Sequence, residues 1–208
     1  MPSNPLKLYA RLLEQSLLHQ RALPAETIEA LQNYQLSSEL NSAIRSGKLS
    51  PLQQEQRRRI DQAFISAPRL DHPILAYRGA PAKAYPVEKP ETLERAYLST
   101  TLDRDVAGDW RNNIVELYGK PEERALYRIS APKGTPFIVP GNLAEDWYTK
   151  QQEIIFPRRG TLSTPPSGGF KLRDPDAFEE YMIYNDTPID KEYSSPLRLL
   201  RDTLNTKP

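Results

Sequence analysis

The chain has 208 residues with 28 basic and 27 acidic side chains, a net charge of +1, so no overall field draws it to nucleic acid or to a membrane surface. It has no cysteine and two histidines, His19 and His72, far apart. That excludes disulfides and thiolate chemistry, and it leaves neither a histidine-rich metal centre nor a Ser-His-Asp triad to expect. The length suffices for one full core, or a core with a small helical lobe.

No apolar run approaches the ~20 residues of a membrane span. Met1-Pro2-Ser3-Asn4-Pro5 lacks the basic start and apolar stretch of a secretory signal. Residues 5 to 66 read as helical. Leu6, Tyr9, Leu13 and Leu17 recur at helical spacing after Asn4-Pro5. Leu23-Pro24 opens a second helix carrying Ile28, Leu31 and Tyr34. Ser37 or Ser38 caps a third, with Leu40 and Ile44 inward and Gly47 as its stop. Ser50-Pro51 starts a fourth with Leu52, Ile60, Ala63 and Phe64, which ends at Ala67-Pro68.

From residue 72 the pattern changes to short strands. Ile74 to Arg78 reads as a strand ending at Gly79, and Ala80 to Pro90 as a proline-rich loop. Ala96 to Thr101 is strand-like, and Asp103 caps a helix with Val106, Trp110 and Leu117 on one face. Ala125 to Ser130 and Thr135 to Val139 read as strands joined by a turn at Lys133-Gly134. Pro140 to Lys150 is a loop with Trp147 and Tyr148, whose neighbours Glu145, Asp146 and Lys150 argue for exposure. Ile154-Ile155-Phe156 is a buried strand stopped by Pro157. Pro165 to Gly169 reads as a hairpin loop, Phe170–Arg173 and Phe178–Asn185 follow it as the last strands, and the tail holds one short helix at 197–204. Helices followed by many short strands argue for α+β, not a doubly wound parallel sheet. Neither GxGxxG nor GxxxxGK[ST] occurs, so neither common nucleotide loop is present.

Three polar signals punctuate the strand region. Arg78 ends an apolar strand, Ser99-Thr100-Thr101 lies in another, and Gln151-Gln152-Glu153 opens a third. Each alone has an ordinary reading: a snorkelling arginine, hydroxyls in a strand, a glutamate at a strand edge in water. Each also has a functional one, the last a catalytic carboxylate on a rigid strand.

Taken in order, these three signals resemble the arginine–serine–glutamate class of mono-ADP-ribosyltransferases. Tyr34 to Lys48 is similar to the tyrosine, asparagine and leucine-arginine-glycine helix that precedes the core in the clostridial-toxin branch. Ala125 to Thr135 is similar to that branch's central strand and turn, and the Glu153 strand with Pro157, Arg158, Arg159 and Gly160 to its catalytic strand. The resemblance spans roughly residues 30 to 185. It departs at the middle motif, Ser-Thr-Thr here where Ser-Thr-Ser is usual, and it is the Gln-x-Glu variant of the class.

The resemblance implies an α+β chain: a helical lobe over residues 1–70, an NAD-binding core of two facing antiparallel sheets over 71–186 that forms one domain with the helices, and a tail over 187–208. It implies NAD as substrate, with no metal. Cleavage of the bond from nicotinamide to ribose creates an oxocarbenium-like cation, which a carboxylate in a water-poor cleft stabilises selectively. Glu153 would do this and bind the ribose 2′-hydroxyl, Ser99 would fix its rotamer, and Arg78 would hold the diphosphate. Asn41 and Arg45, four apart on one helical face, would meet the adenosine and phosphate side, or form a solvated face. Arg104 or Arg111 would add a phosphate contact.

Gln151, two residues before Glu153, lies on the same face of an extended strand. A neutral amide there suits an asparagine or glutamine acceptor more than arginine. Trp147 and Tyr148 would dock a macromolecule. Arg57-Arg58-Arg59 reads as a solvated face. The expectation is a monomeric ADP-ribosyltransferase toxin or effector modifying a protein, with nucleic acid open as a second acceptor class and no membrane partner. It would act in a cytoplasm, its own or that of a target cell reached without a signal peptide. The alternatives are an NAD glycohydrolase and a catalytically degenerate NAD-binding module.

Overall fold

Four helices come first: α1 (Pro5–Gln20), α2 (Ala25–Leu36), α3 (Glu39–Ser46) and α4 (Pro51–Ile65). Their ends follow local chemistry. Ser50 and Gln53 form a capping box, each side chain bonding the other's backbone N–H at 3.3 and 3.0 Å, with Pro51 in the first turn. Gly47 ends α3 at φ 72°, and the Lys48 N–H returns to the Ala43 carbonyl at 3.1 Å. Ser38 precedes α3 without a side-chain cap; the Ser37 hydroxyl instead accepts the Glu39 N–H at 3.0 Å.

Two readings of these helices are corrected. In α1 the buried positions are Leu12, Ser16 and Gln20, while Leu6 and Leu17 are exposed. The packed stripe is rotated because Ser16 and Gln20 hold the backbone of Val139: the Ser16 hydroxyl both donates to its carbonyl and accepts its N–H, and Gln20 donates to that carbonyl at 2.7 Å. In α4, Leu52 is exposed at 79%, and the buried face is instead Ile60, Asp61, Ala63 and Phe64 in the second half of the helix.

This computed structural model describes residues 5–81, 84, 91–109, 124–140, 152–163, 172–174 and 177–185. Among them no helix is long and apolar enough to cross a membrane. The strands are β1 (Ile74–Pro81), β2 (Glu91–Leu93), β3 (Leu98–Thr101), β4 (Arg124–Ala131), β5 (Glu153–Phe156), β6 (Thr161–Ser163), β7 (Leu172–Asp174) and β8 (Ala177–Asn185). They join in the order β2-β6-β8-β4-β1-β3-β5, with β7 on β8. The expected facing sheets are thus linked by hydrogen bonds into one path, and β4 with β8 is a parallel pair within it.

β1 continues past Gly79 to Pro81, paired along its length with β4. Residues 135–139 make bridges rather than a ladder, Pro136 to Arg69 and Ile138 to Ile155. Asp103 caps the helical segment 104–109 by accepting the Asp105 N–H at 2.9 Å; Trp110 and Leu117 lie outside the described residues, as do the 165–169 loop and the 197–204 helix.

The sheet is buried on two sides. Leu98, Ile154 and Phe156 pack with Ile74, Tyr127, Ile129 and Leu12 of α1. Tyr97, Ile138 and Ile155 pack with Leu31, Tyr34, Leu40, Ile60 and Phe64 of the helices. Alternate residues of β5 thus enter opposite clusters, which explains its unbroken apolar sequence.

Candidate active site

Glu153 is the first residue of β5, and the chain reaches it through a left-handed Gln152 at φ 45°. That conformation costs a non-glycine residue about 1–2 kcal/mol, and the Leu102 N–H bonds the Gln152 carbonyl at 3.4 Å. In the β3–β5 register Thr101 faces Glu153 and Ser99 faces Ile155. Ser99 and Glu153 are therefore diagonal neighbours on one face. The Ser99 hydroxyl donates to Glu153 Oε1. From α2, Gln35 Nε2 stands 3.5 Å from Glu153 Oε2. Both carboxylate oxygens thus meet a donor, from two elements.

Burial raises the Glu153 carboxyl above its ordinary value near 4.5; the bonds from Ser99 and Gln35 and the positive charge of Arg78 oppose that rise. Two phenols flank it. Tyr9 of α1 and Tyr34 of α2 are each pushed up to about 12, first by burial and then by the charge of Glu153. Both remain protonated at neutral pH.

Arg78 shares the side of β1 that carries Ile74, Ala76 and Ala80. Its Nη1 donates to the Ser99 carbonyl, so the expected arginine, serine and glutamate are brought together. Asn41 and Arg45 come close through other contacts. Asn41 brackets Tyr97, donating to its carbonyl and accepting its N–H, each at 3.2 Å, and donates to the Tyr34 hydroxyl at 2.9 Å. Arg45 binds Glu94 through Nε at 3.2 Å and Nη2 at 3.3 Å, and Glu94, 3% exposed, also accepts the Ala96 N–H at 2.9 Å. The described contacts of α3 therefore hold the chain that leads into Ser99.

Arg104 is exposed at the start of the 104–109 segment. Arg111, Trp147, Tyr148 and Gln151 lie outside the described residues. In the basic run, Arg58 and Arg59 both bind Glu55, at 2.6 and 2.8 Å. Among the described residues no three His, Asp or Glu side chains gather as metal ligands would.

Sequence reasoning missed two parts of the site. Gln35 carried no signal beyond its place beside Tyr34. The buried Asp61–Arg158 pair, which anchors the end of the β5 turn to α4, did carry one: a carboxylate between Ile60 and Ala63 on an apolar helix face.

No family model matches the sequence, and no curated protein matches it. Solved structures do resemble it. Plx2a, an ADP-ribosyltransferase toxin from Paenibacillus larvae, is 17% identical with a TM-score of 0.65, over 86% of this chain and 96% of that one. An ADP-ribosyltransferase from Clostridium botulinum is 15% identical with a TM-score of 0.63, over 84% and 94%. C3stau2 from S. aureus, solved with NAD, is 18% identical with a TM-score of 0.62, over 88% and 96%. The chain has the α+β fold of these ADP-ribosyltransferases.

Proposed function

We propose that this chain is an NAD-dependent mono-ADP-ribosyltransferase, and that Glu153, Ser99 and Arg78 form its reaction centre. The observation that carries the reading is the Ser99–Glu153 bond with Arg78 held to the same strand, in a fold whose solved examples are ADP-ribosyltransferases. As nicotinamide leaves, positive charge develops on the ribose, and one oriented carboxylate in a dry site stabilises that state more than the ground state. Ser99 orients the carboxylate, while Arg78, bonded to the Ser99 backbone, adds a charge suited to the diphosphate. Tyr34 and Tyr9 remain neutral and supply the walls.

Asn41 and Arg45 retain the proposed place on the adenosine and phosphate side. Their contacts with Tyr97 and Glu94 give them a second task, holding the Ser99 strand at its entry.

The expected shared strand face of Gln151 and Glu153 does not hold, because β5 begins at Glu153 after a left-handed Gln152 at φ 45°; the amide chemistry of Gln151 is what supports the proposed acceptor. An amide two residues before the carboxylate pairs with another amide, donor to acceptor and acceptor to donor, and does not act as a base toward guanidinium. The proposed target is an asparagine or glutamine of a protein, docked by Trp147 and Tyr148, and the chain works as a toxin or effector in a target-cell cytoplasm. Incubation with tagged NAD and candidate lysates tests this, followed by mass spectrometry of the tagged molecule. A tagged amide side chain supports the full reading. A tagged arginine overturns the acceptor while sparing the chemistry, a tagged nucleic acid overturns the protein target, and free ADP-ribose alone establishes a glycohydrolase.

A further inference from the structure

Gln35 sits one residue before the end of α2, beside the buried Tyr34. Its two amide atoms are used unequally. Nε2 makes the long 3.5 Å approach to Glu153 Oε2, whereas Oε1 is buried and has no hydrogen-bond partner among the described residues. A second amide oxygen, Oε1 of the left-handed Gln152, is likewise buried with no partner among them. A buried acceptor without a donor costs about 1–3 kcal/mol, so it calls for an explanation, and a bound ligand that donates the missing hydrogen bond is one. Beside the carboxylate, Gln35 Oε1 is thus an acceptor without a donor among the described residues, and Glu153 Oε2 meets Gln35 only through the long 3.5 Å approach.

We propose that Gln35 positions Glu153 and, with it, reads the cis-diol of the nicotinamide-side ribose. Glu153 Oε2 takes one hydroxyl, and Gln35 Oε1 takes its neighbour. The assignment rests on the NAD-cleaving reading of the site. Two adjacent acceptors fit two adjacent O–H donors, and a ribose diol presents such a pair. The Nε2 contact then makes the two acceptors one unit, because the amide that receives one hydroxyl steadies the carboxylate that receives the other. Ligand binding would draw the 3.5 Å contact in, as contacts in ligand-free sites commonly tighten in the complex. Gln35 is in this sense a positioning residue for Glu153 as well as a ligand contact.

The test uses the full chain, NAD, and an NAD analogue that lacks the 3′-hydroxyl of the nicotinamide ribose. The variant is Gln35→Met, which keeps the side-chain length and removes both amide atoms. Calorimetry is expected to show the wild type binding the analogue about tenfold more weakly than NAD, the scale of one hydrogen bond, and Gln35→Met binding the two alike. The second readout is the pH profile of nicotinamide release. Glu153 is faced by Ser99 from β3, Arg78 from β1, Tyr9 from α1, and Tyr34 and Gln35 from α2. Removing only Gln35 takes one donor from the ionised form, so the acid limb moves to higher pH and kcat falls more than KM rises. Equal discrimination against the analogue by both proteins overturns the inference. So does an unmoved acid limb in a variant whose thermal melting alone has changed, the mark of a merely structural residue. A wild type that binds no NAD overturns the functional reading and this inference with it.

Discussion

The Arg158 guanidinium lies against the Asp61 carboxylate with contacts of 2.6, 2.8 and 2.9 Å, joining the turn after β5 to the buried face of α4. Asp61 is fully buried, Arg158 is 4% exposed, and the Tyr97 hydroxyl donates to the same carboxylate at 2.7 Å. Since Tyr97 precedes β3 and Arg158 follows β5, one carboxylate ties both strands of the Ser99–Glu153 pair to the helices. Arg158→Ala withdraws the counter-charge from a buried anion, so denaturant titration is expected to show a loss of about 3–5 kcal/mol. A loss under about 1 kcal/mol would mean the pair is a surface-like contact.

Gly160 packs against another aromatic. A methyl group there would meet Cε2, Cζ and the hydroxyl of Tyr184, a buried ring stacked on Phe156 and bonded to the Pro157 carbonyl at 2.9 Å. The ring is held on each side, so it has little room to give. Gly160→Ala is expected to lower stability by about 1–3 kcal/mol in thermal or chemical melts. An unchanged melt would show that Tyr184 moves freely.

Glu153 makes stability fall as pH rises. Its folded carboxyl is raised above the ordinary value near 4.5, so between those two values the folded chain binds more protons than the unfolded chain. Stability from the neutral acid is present below about 4.5 and is lost as pH rises through the raised value. Glu153→Gln is therefore expected to melt higher than the wild type at pH 7, with the gain shrinking toward pH 4. A gain that grows toward acid would reverse the assignment.

Arg78→Ala is expected to weaken NAD binding by about ten- to hundredfold, the scale of a hydrogen bond to a charged group. Titration calorimetry of the folded variant checks this. Unchanged affinity would return Arg78 to a purely structural link between β1 and Ser99.

Much of this was legible in the sequence wherever the signal is local. Ser50-Pro51 and Gly47 mark helix ends through caps that involve only near neighbours. Arg78, Ser99 and Glu153 were legible as three polar interruptions of apolar strands. The face of α1 was not, because Ser16 and Gln20 are drawn inward by Val139, more than a hundred residues away. The parallel pairing of β4 with β8 depends on partners that no local pattern names. The internal bonds of Asn41 and Arg45 were hidden for the same reason, since Tyr97 and Glu94 lie about fifty positions on.

The most direct measurement of the central claim is nicotinamide release from NAD by the wild type and by Glu153→Gln, each with its NAD affinity determined. The variant is expected to bind NAD within a few-fold of the wild type and to release nicotinamide at least about a hundredfold more slowly, the usual loss for one preorganised electrostatic group. Near-normal turnover by a folded Glu153→Gln protein would contradict a catalytic role for this carboxylate.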